Sequence, residues 1–289
     1  MPREVTRFAP SPTGYLHLGH AFAALFAEQA AREAGGRFLL RIEDTDHTRA
    51  RLAFEAAIFE DLGWLGLEWE QSVRRQSDHT RDYAQALEAL KALDCAYPCF
   101  CTRKEIEAEF AASVSAPHGP EGPIYPGTCR SLHSHERAAR IERGERYAWR
   151  LDVAKAAARV GAPLSFEETG AGPHGERGTI TAQIDLFGDF VLARKDAPVS
   201  YHLAVVVDDA LQGITTVTRG NDLFAATAVH RLLQALLDLP VPRYRHHRLI
   251  CDEHGKRLAK RDQARTLRVL RDQGVTVQEI RTQLGFTSR

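Results

Sequence analysis

RFAPSPTGYLHLGH, residues 7–20, is the stretch from which the rest of the chain is read. The residues leading into it, VTRFA at 5–9, have the β-branched and aromatic character of a short strand. Pro10, Pro12 and Gly14 break that strand at once. From His17 the apolar residues take helical spacing, with Leu18, Phe22, Leu25, Phe26 and Ala30 on one stripe, until Gly35-Gly36 stops the run. The pattern is a strand, a loop shaped by proline and glycine, and a helix start carrying His17 and His20. Positions i and i+3 share a helix face, so both imidazoles can point into one cleft. A helix N-terminus adds free N–H groups and the positive end of the helix dipole, which together favour phosphate. Two structural histidines after a turn is the competing reading of the same residues.

Working outward, 38–42 forms a second buried strand, and a helix is expected over 48–62 with Leu52, Ala56, Phe59 and Leu62 facing inward. A strand–helix–strand–helix opening predicts an α/β domain with a parallel sheet. A further amphipathic helix is expected over 78–94, with Tyr83, like Trp64 and Trp69, serving packing. The texture changes from about 99 to 188, which holds three cysteines and two loops rich in glycine and proline, and reads as a module inserted into the first. From Asp189 the α/β texture resumes with FVLAR and HLAVVVDD. The apolar run at 203–207 suits a strand covered on both faces. A helix follows from about 223 to 239, and Pro240 and Pro242 close that part. The expected organisation is a first half at 1–98, an insertion at 99–188, a second half at 189–242 and a basic segment at 243–289.

The 289 residues are enough for one large domain or two moderate ones. With 44% hydrophobic and 26% charged residues, the chain is neither a disordered tail, a collagen-like repeat nor a disulfide scaffold. Lys and Arg balance Asp and Glu at 38 each, which argues against a nonspecific nucleic-acid coat. The balance is an average, because the segment after Pro242 carries a local excess of Lys and Arg. No apolar run approaches the length of a membrane span, and MPREVTRFAP lacks the core of a secretory signal. A cytoplasmic protein with reduced cysteines is expected, and there a cysteine cluster favours a metal over a disulfide.

Near the other end, GKRLAKR at 255–261 places cations on a loop. Mobile cations beside a polyphosphate are expected where charge develops on phosphoryl oxygens during transfer; a loop of this kind alone is more often a solvated face. PSPTGYLHLGH resembles the signature of the glutamyl and glutaminyl branch of class I aminoacyl-tRNA synthetases, with HLGH in the place of its His-Ile-Gly-His motif. Arg257-Leu258-Ala259-Lys260-Arg261 then resembles the family's Lys-Met-Ser-Lys-Ser loop, with Lys260 at the principal lysine and with Arg257 and Ala259 departing from the pattern. The resemblance implies a Rossmann-like parallel sheet with an inserted zinc-containing α+β module and a short C-terminal helical segment. It implies that His17, Gly19, His20, Arg257 and Lys260 hold ATP with its Mg²⁺, and that His17, His20 and Lys260 are catalytic.

RIEDTDHTR at 41–49 places Glu43, Asp44 and Asp46 just past the second strand, where ligands bind in open α/β sheets. Glu43 can pair with an ammonium group; a salt bridge or helix cap is the alternative for each acid, and Asp46 would cap the following helix. By resemblance, Arg7, Phe8, Ala9, Pro10, Ser11, Glu43, Tyr201 and Arg219 match the glutamate-binding positions. Two guanidiniums suit an anionic side chain, since Arg pairs with carboxylate in bidentate fashion. Cys99, Cys101 and Cys129 would give three thiolates of a tetrahedral zinc site, with buried free thiols as the alternative. The Cys-x-Cys … Tyr-x3-Cys spacing resembles that of glutamyl-Q tRNA(Asp) synthetases, a truncated branch of the family. The resemblance points to Tyr125 as the fourth ligand of a structural zinc, with His118, His133 and His135 competing.

Glutamyl-tRNA synthetases of ordinary length continue into a helical anticodon-binding domain, whereas 28 residues follow Arg261 here. The short C-terminus leads to the expectation of a catalytic core alone, and the resemblance implies a monomeric enzyme with ATP, L-glutamate and queuosine-containing tRNA(Asp) as partners. It would activate glutamate without tRNA and transfer it to queuosine at the wobble position. A minimal glutamyl-tRNA synthetase with a separate anticodon partner, and a non-catalytic paralogue that binds nucleotide or tRNA, are the alternatives.

Overall fold

The computed structural model describes residues 3–112, 118–120, 122–251 and 265–286. It opens with strand β1 (Val5–Phe8), helix α1 (Leu18–Glu33), strand β2 (Arg37–Ile42) and helix α2 (Leu52–Trp64). β1 and β2 pair in parallel, and the short strand β3 (Arg74–Arg75) extends β2, also in parallel. α1 buries Phe22, Leu25 and Ala30 of the predicted stripe, with Leu18 and Phe26 half-buried against the same core and Ala21, Ala24 and Ala31 buried besides. In α2 the outcome differs. Leu52 is 79% exposed, and the buried residues are Glu55, Ala57, Ile58, Asp61 and Leu62. Leu62 is buried as expected, but Glu55 and Ile58 take the inward places expected of Ala56 and Phe59, because two buried acids accept partners across that face.

Helix α3 (Thr80–Ala92) leads into strand β4 (Ala96–Cys99) and helix α4 (Arg103–Ala112). A two-residue hairpin, β5 (His118–Gly119) and β6 (Gly122–Pro123), is followed by helix α5 (Ser134–Glu142), strand β7 (Ala148–Leu151) and helix α6 (Val153–Val160). Strands β8 (Ser165–Glu168), β9 (Gly178–Thr181) and β10 (Val191–Ala193) come next. β4 and β10 flank β7 in an antiparallel sheet. That sheet carries the cysteines, and Tyr97, Cys99, Phe100, Tyr125 and Cys129 form a small buried cluster on it.

The remaining elements are helix α7 (Tyr201–Leu211), strand β11 (Thr216–Gly220), helix α8 (Thr227–Leu236), strand β12 (Arg243–His247) and helices α9 (Leu267–Asp272) and α10 (Val277–Leu284). β11, β12 and β8 are parallel and β9 is antiparallel at the edge. The stretch 165–181 thus shares a sheet with β11 and β12 rather than with the cysteines. The β1–β2–β3 sheet is parallel, the β10–β7–β4 sheet antiparallel and the β11–β12–β8–β9 sheet mixed, so the expected single parallel sheet is only partly met. The run at 203–207 lies within a helix, not the predicted strand: Ser200 caps α7 through Leu203 N, and residues 202–209 are all buried. A helix apolar on every side is a core helix, and a short apolar run cannot separate that case from a buried strand.

Thr215 N donates to Val5 O at 3.0 Å, and Val5 N donates to Thr215 Oγ1 at 2.8 Å, so β1 lies against the β11 side of the second sheet. One core joins α3, α6, α7 and α8 through Leu90, Leu203, Val229 and Leu232. Another joins α1, β2 and α2 to the C-terminal helices through Leu25, Leu40, Ile58, Leu267 and Ile280. Each such side chain contributes roughly 1.5–3 kcal/mol by leaving water. Among the described residues, no helix is long and apolar enough to cross a membrane.

Candidate active site

The carboxyl ends of β1, β2, β11 and β12 and the start of α1 enclose a cavity of about 440 Å³. Arg7, Phe8, Ala9, His17, Gly19, His20, Glu43, Tyr201 and Arg219 line it, bringing together residues separated by two hundred positions. Pro10 and Ser11 do not line it. Pro10 O instead accepts Glu43 N at 3.0 Å and tethers the end of β2 to the loop after β1. Arg257 and Lys260 lie outside the described residues. The ends of their segment are placed, however: Ile250 lines the cavity, and Leu267 N donates to Leu16 O at 2.8 Å beside the His17–Thr266 bridge.

His17 is the N-cap of α1. Its Nδ1 accepts Gly19 N at 3.1 Å, and His20 Nδ1 accepts His17 N at 3.2 Å. The rings sit 3.8 Å apart. Because each Nδ1 accepts a backbone N–H, each ring is held in the neutral tautomer with its proton on Nε2. Glycine at 19 leaves room for the His17 ring, since a Cβ there would come to 3.0 Å from His17 Cε1. The pair therefore combines two ring donors with a helix N-terminus, the arrangement that favours a phosphate group.

Across the cavity lies a layer of buried charge. Asp209 accepts Arg7 Nε at 2.9 Å and Arg7 Nη2 at 3.2 Å, and its Oδ1 also accepts Arg41 Nη1 at 2.8 Å. Burial pushes the Asp209 carboxyl upward, but Arg7 and Arg41 outweigh it and hold the group below the usual carboxylate range. Arg41 Nη2 donates to Glu43 Oε1 at 3.3 Å. Glu43 is held above the usual range by burial, with Arg41 and Arg7 acting against the rise. A bound ammonium group would favour its carboxylate form. Behind them, Asp208 accepts Arg74 Nε at 2.6 Å, Gln76 Nε2 at 2.8 Å and Tyr83 Oη at 2.9 Å. Tyr83 is thus a buried packing residue that also anchors this network.

Arg219 differs from Arg7. Its Nε donates to His246 Nε2 at 3.1 Å, Nη1 to His230 Nδ1 at 2.9 Å and Nη2 to Thr227 Oγ1 at 2.6 Å. It is 6% exposed, and among the described residues it pairs directly with no carboxylate. A buried guanidinium whose direct partners are uncharged has the chemistry to accept an anion. Neither His230 nor His246 takes a proton readily, because burial, opposed at His246 by its bond to Glu168, lowers both below the ordinary imidazole value.

Asp44 and Asp46 take structural roles. Asp44 accepts Ser77 N and Oγ at 2.8 and 2.6 Å. Asp46 accepts Thr48 Oγ1 and Arg49 Nε at 2.6 and 2.9 Å, and the bond from Thr48 leads in drawing it down to about 2. It closes a turn at 46–50 and does not cap α2, whose N-cap position is Arg51. The sequence reading missed the rest of the cavity wall, including Thr218, Asp222, His247 and Arg248. The rule that ligands gather outside the carboxyl ends of parallel strands would have pointed to the end of β12.

In the second cluster, Cys99, Cys101 and Cys129 place their Sγ atoms within 4.8 Å of one another. Tyr125 Oη lies 3.4 Å from Cys99 Sγ and 3.5 Å from Cys101 Sγ. Hydrogen bonding from Cys99 draws Cys129 down to about 4, while the same bond and burial push Cys99 up. Two buried cysteines and the half-buried Cys101 lie so close that, once deprotonated, they would need a cation between them. The donor set fits tetrahedral zinc with sulfur and oxygen ligands. His133 and His135 do not join the group and stack on each other at 5.6 Å.

The family described as class I tRNA synthetases (E and Q), catalytic domain, matches residues 4–285. A glutamyl-Q tRNA(Asp) synthetase of Rhodobacter capsulatus is 50% identical over 98% of this chain and 100% of its own length. One from Nitratidesulfovibrio vulgaris is 41% identical over 95% of this chain and 83% of its own length. A solved glutamate tRNA ligase from Elizabethkingia meningosepticum, in complex with its amino acid, superposes with a TM-score of 0.72 at 31% identity. That match covers 90% of this chain, which spans about half, 52%, of the ligase. The mixed α/β sheets, the cavity at their carboxyl ends and the match over nearly every residue agree: the chain belongs to the glutamyl and glutaminyl branch of the class I tRNA synthetases, a family of ligases.

Proposed function

We propose that the protein activates L-glutamate with ATP, without tRNA, and transfers the glutamate to queuosine at the wobble position of tRNA(Asp). The observation that carries this reading is the single cavity lined by the His17–Gly19–His20 helix start on one side and by Arg7, Glu43, Tyr201 and Arg219 on the other. Glu43 takes the ammonium group, and Arg219 with Arg7 takes the carboxylate side chain. The α-carboxylate oxygen attacks the α-phosphorus of ATP, pyrophosphate leaves, and glutamyl-adenylate remains. A hydroxyl of the queuosine cyclopentene diol then attacks the adenylate carbonyl and AMP leaves. His17 and His20 donate Nε2–H to the phosphate oxygens, and Lys260 with Arg257 neutralises the charge that develops there. Mg²⁺ enters with the nucleotide and screens its phosphates. Cys99, Cys101, Tyr125 and Cys129 would hold a structural zinc, which would staple the β4–β7–β10 sheet.

Relatives described as glutamyl-Q tRNA(Asp) synthetases, one of them matched along its whole length, support the choice of tRNA. The test is transfer of radiolabelled glutamate to tRNA. Queuosine-containing tRNA(Asp) is expected to be labelled while the same tRNA lacking queuosine is not. Charging of tRNA(Glu) instead would replace the proposal with a minimal glutamyl-tRNA synthetase.

A further inference from the structure

Arg219 is held by residues that no part of the reading above uses. Since a guanidinium only donates, the ring nitrogen facing it, His246 Nε2, must carry a lone pair, and the proton of that ring then sits on Nδ1. His246 Nδ1 faces Glu168 Oε2. Glu168 is fixed in turn, its Oε1 accepting Gly170 N at 2.7 Å and His246 N at 3.0 Å. The turn at Gly170 comes so close that a Cβ there would meet His246 O at 2.3 Å. On the other side, His230 Nδ1 accepts from Arg219, so its Nε2–H points to His202 Nδ1 at 3.2 Å. The buried carboxylate therefore never touches the guanidinium. It acts through a neutral ring that gives Arg219 an acceptor and a direction and leaves its remaining N–H groups for a ligand.

We propose that His246, locked in one tautomer by Glu168, is a positioning residue that holds Arg219 ready for the side-chain carboxylate of the amino-acid substrate and so favours glutamate over glutamine. This rests on the glutamate reading above. A direct carboxylate partner in the place of His246 would neutralise Arg219, as Asp209 does Arg7, and an anionic ligand would gain less. With the imidazole between them, the ligand supplies the carboxylate that Arg219 lacks.

Two substitutions separate the halves of the bridge. His246→Asn keeps an amide N–H for Glu168 and loses the acceptor for Arg219. His246→Gln keeps an oxygen near the former Nε2 and so keeps that acceptor. Glutamate binding by calorimetry and glutamate-dependent ATP–pyrophosphate exchange are measured on both, together with exchange driven by glutamine. The Asn variant is expected to raise Kd and KM for glutamate about tenfold, the effect of one lost charge-assisted hydrogen bond. Its kcat is expected to fall less than about threefold, and its preference over glutamine to narrow. The Gln variant is expected to recover most of the affinity. Equal losses in both variants, or an Asn variant that is less stable but binds glutamate normally, overturn the proposal in favour of plain packing. Should neither variant fold, imidazole nitrogen shifts of the wild-type protein decide: a proton on Nε2 of His246 overturns it. Wild-type protein that binds glutamate but gives no exchange removes the activation reading alone, and one that binds no glutamate removes both.

Discussion

Asp209→Asn is the most informative single change in the charged layer, because one carboxylate there serves two buried cations. Its Oδ1 accepts both Arg7 Nε and Arg41 Nη1, and its Oδ2 accepts Arg7 Nη2. Arg41 is fully buried and Arg7 is 5% exposed, so neither can turn to water when the charge is lost. The amide keeps an oxygen for one site but sets an N–H against Arg7 Nη2 at the other. Removing one partner of a buried ion pair costs about 3–5 kcal/mol. Arg41 retains Glu43 and Gln212 as partners, which puts this case at the lower end. Urea denaturation at pH 7.5 is expected to show a loss of about 3 kcal/mol. The pH dependence follows from the sign: Asp209 is held below its unfolded value, so its contribution is present above that value and disappears as pH falls through the folded one. The wild type and the Asn variant should therefore converge in acid. Glutamate binding should weaken as well, since Arg7 loses its orientation. A variant within about 0.5 kcal/mol of wild type at pH 7.5 would show that the bridge carries no net stability and would refute the reasoning.

Lys260→Ala is expected to lower ATP–pyrophosphate exchange at least a hundredfold with an unchanged melting temperature, about the scale of losing one charge-stabilising donor; near-normal exchange removes it from the catalytic set. Cys101→Ser is expected to lower zinc content measured by atomic emission and to bring the melting temperature down with it, and unchanged stoichiometry counts against the site. Asp61 is raised from an ordinary 3.8 to about 6 by burial, with Arg271 only partly opposing, so its ionisation disfavours the fold and stability falls as pH rises between about 4 and 6. Asp61→Asn keeps the oxygen that accepts Arg271 Nη1 and should gain up to about 3 kcal/mol over wild type at pH 7.5, at about 1.4 kcal/mol per pH unit. That advantage should vanish near pH 4; a constant offset at both pH values contradicts it.

What the sequence made legible is what local chemistry dictates. The loop at 10–14 and the apolar spacing after His17 place β1 and α1 correctly, because proline, glycine and a 3.6-residue period are local signals. The cysteine spacing leads to a real cluster, Cys99 and Cys101 being close together along the chain and Cys129 brought to them by the fold. The run at 203–207 went wrong because burial on all sides erases the period by which helix and strand are told apart. The stripe of α2 went wrong because Glu55 and Asp61 face inward against Arg75 and Arg271, partners far along the chain. The candidate cavity divides the same way. Arg7, Glu43, Tyr201 and Arg219 came from a family resemblance. What distinguishes them from one another is written in residues with no motif: Asp209 neutralises Arg7, whereas His246, His230 and Thr227 leave the charge of Arg219 without a direct partner. Glu168, which by sequence is one acid in a balanced surface, lies fully buried behind that arginine because β8 joins β12 rather than the segment it follows. The carboxylate behind Arg219 is placed by strand order, and strand order is the property of this chain that a residue-by-residue reading cannot supply.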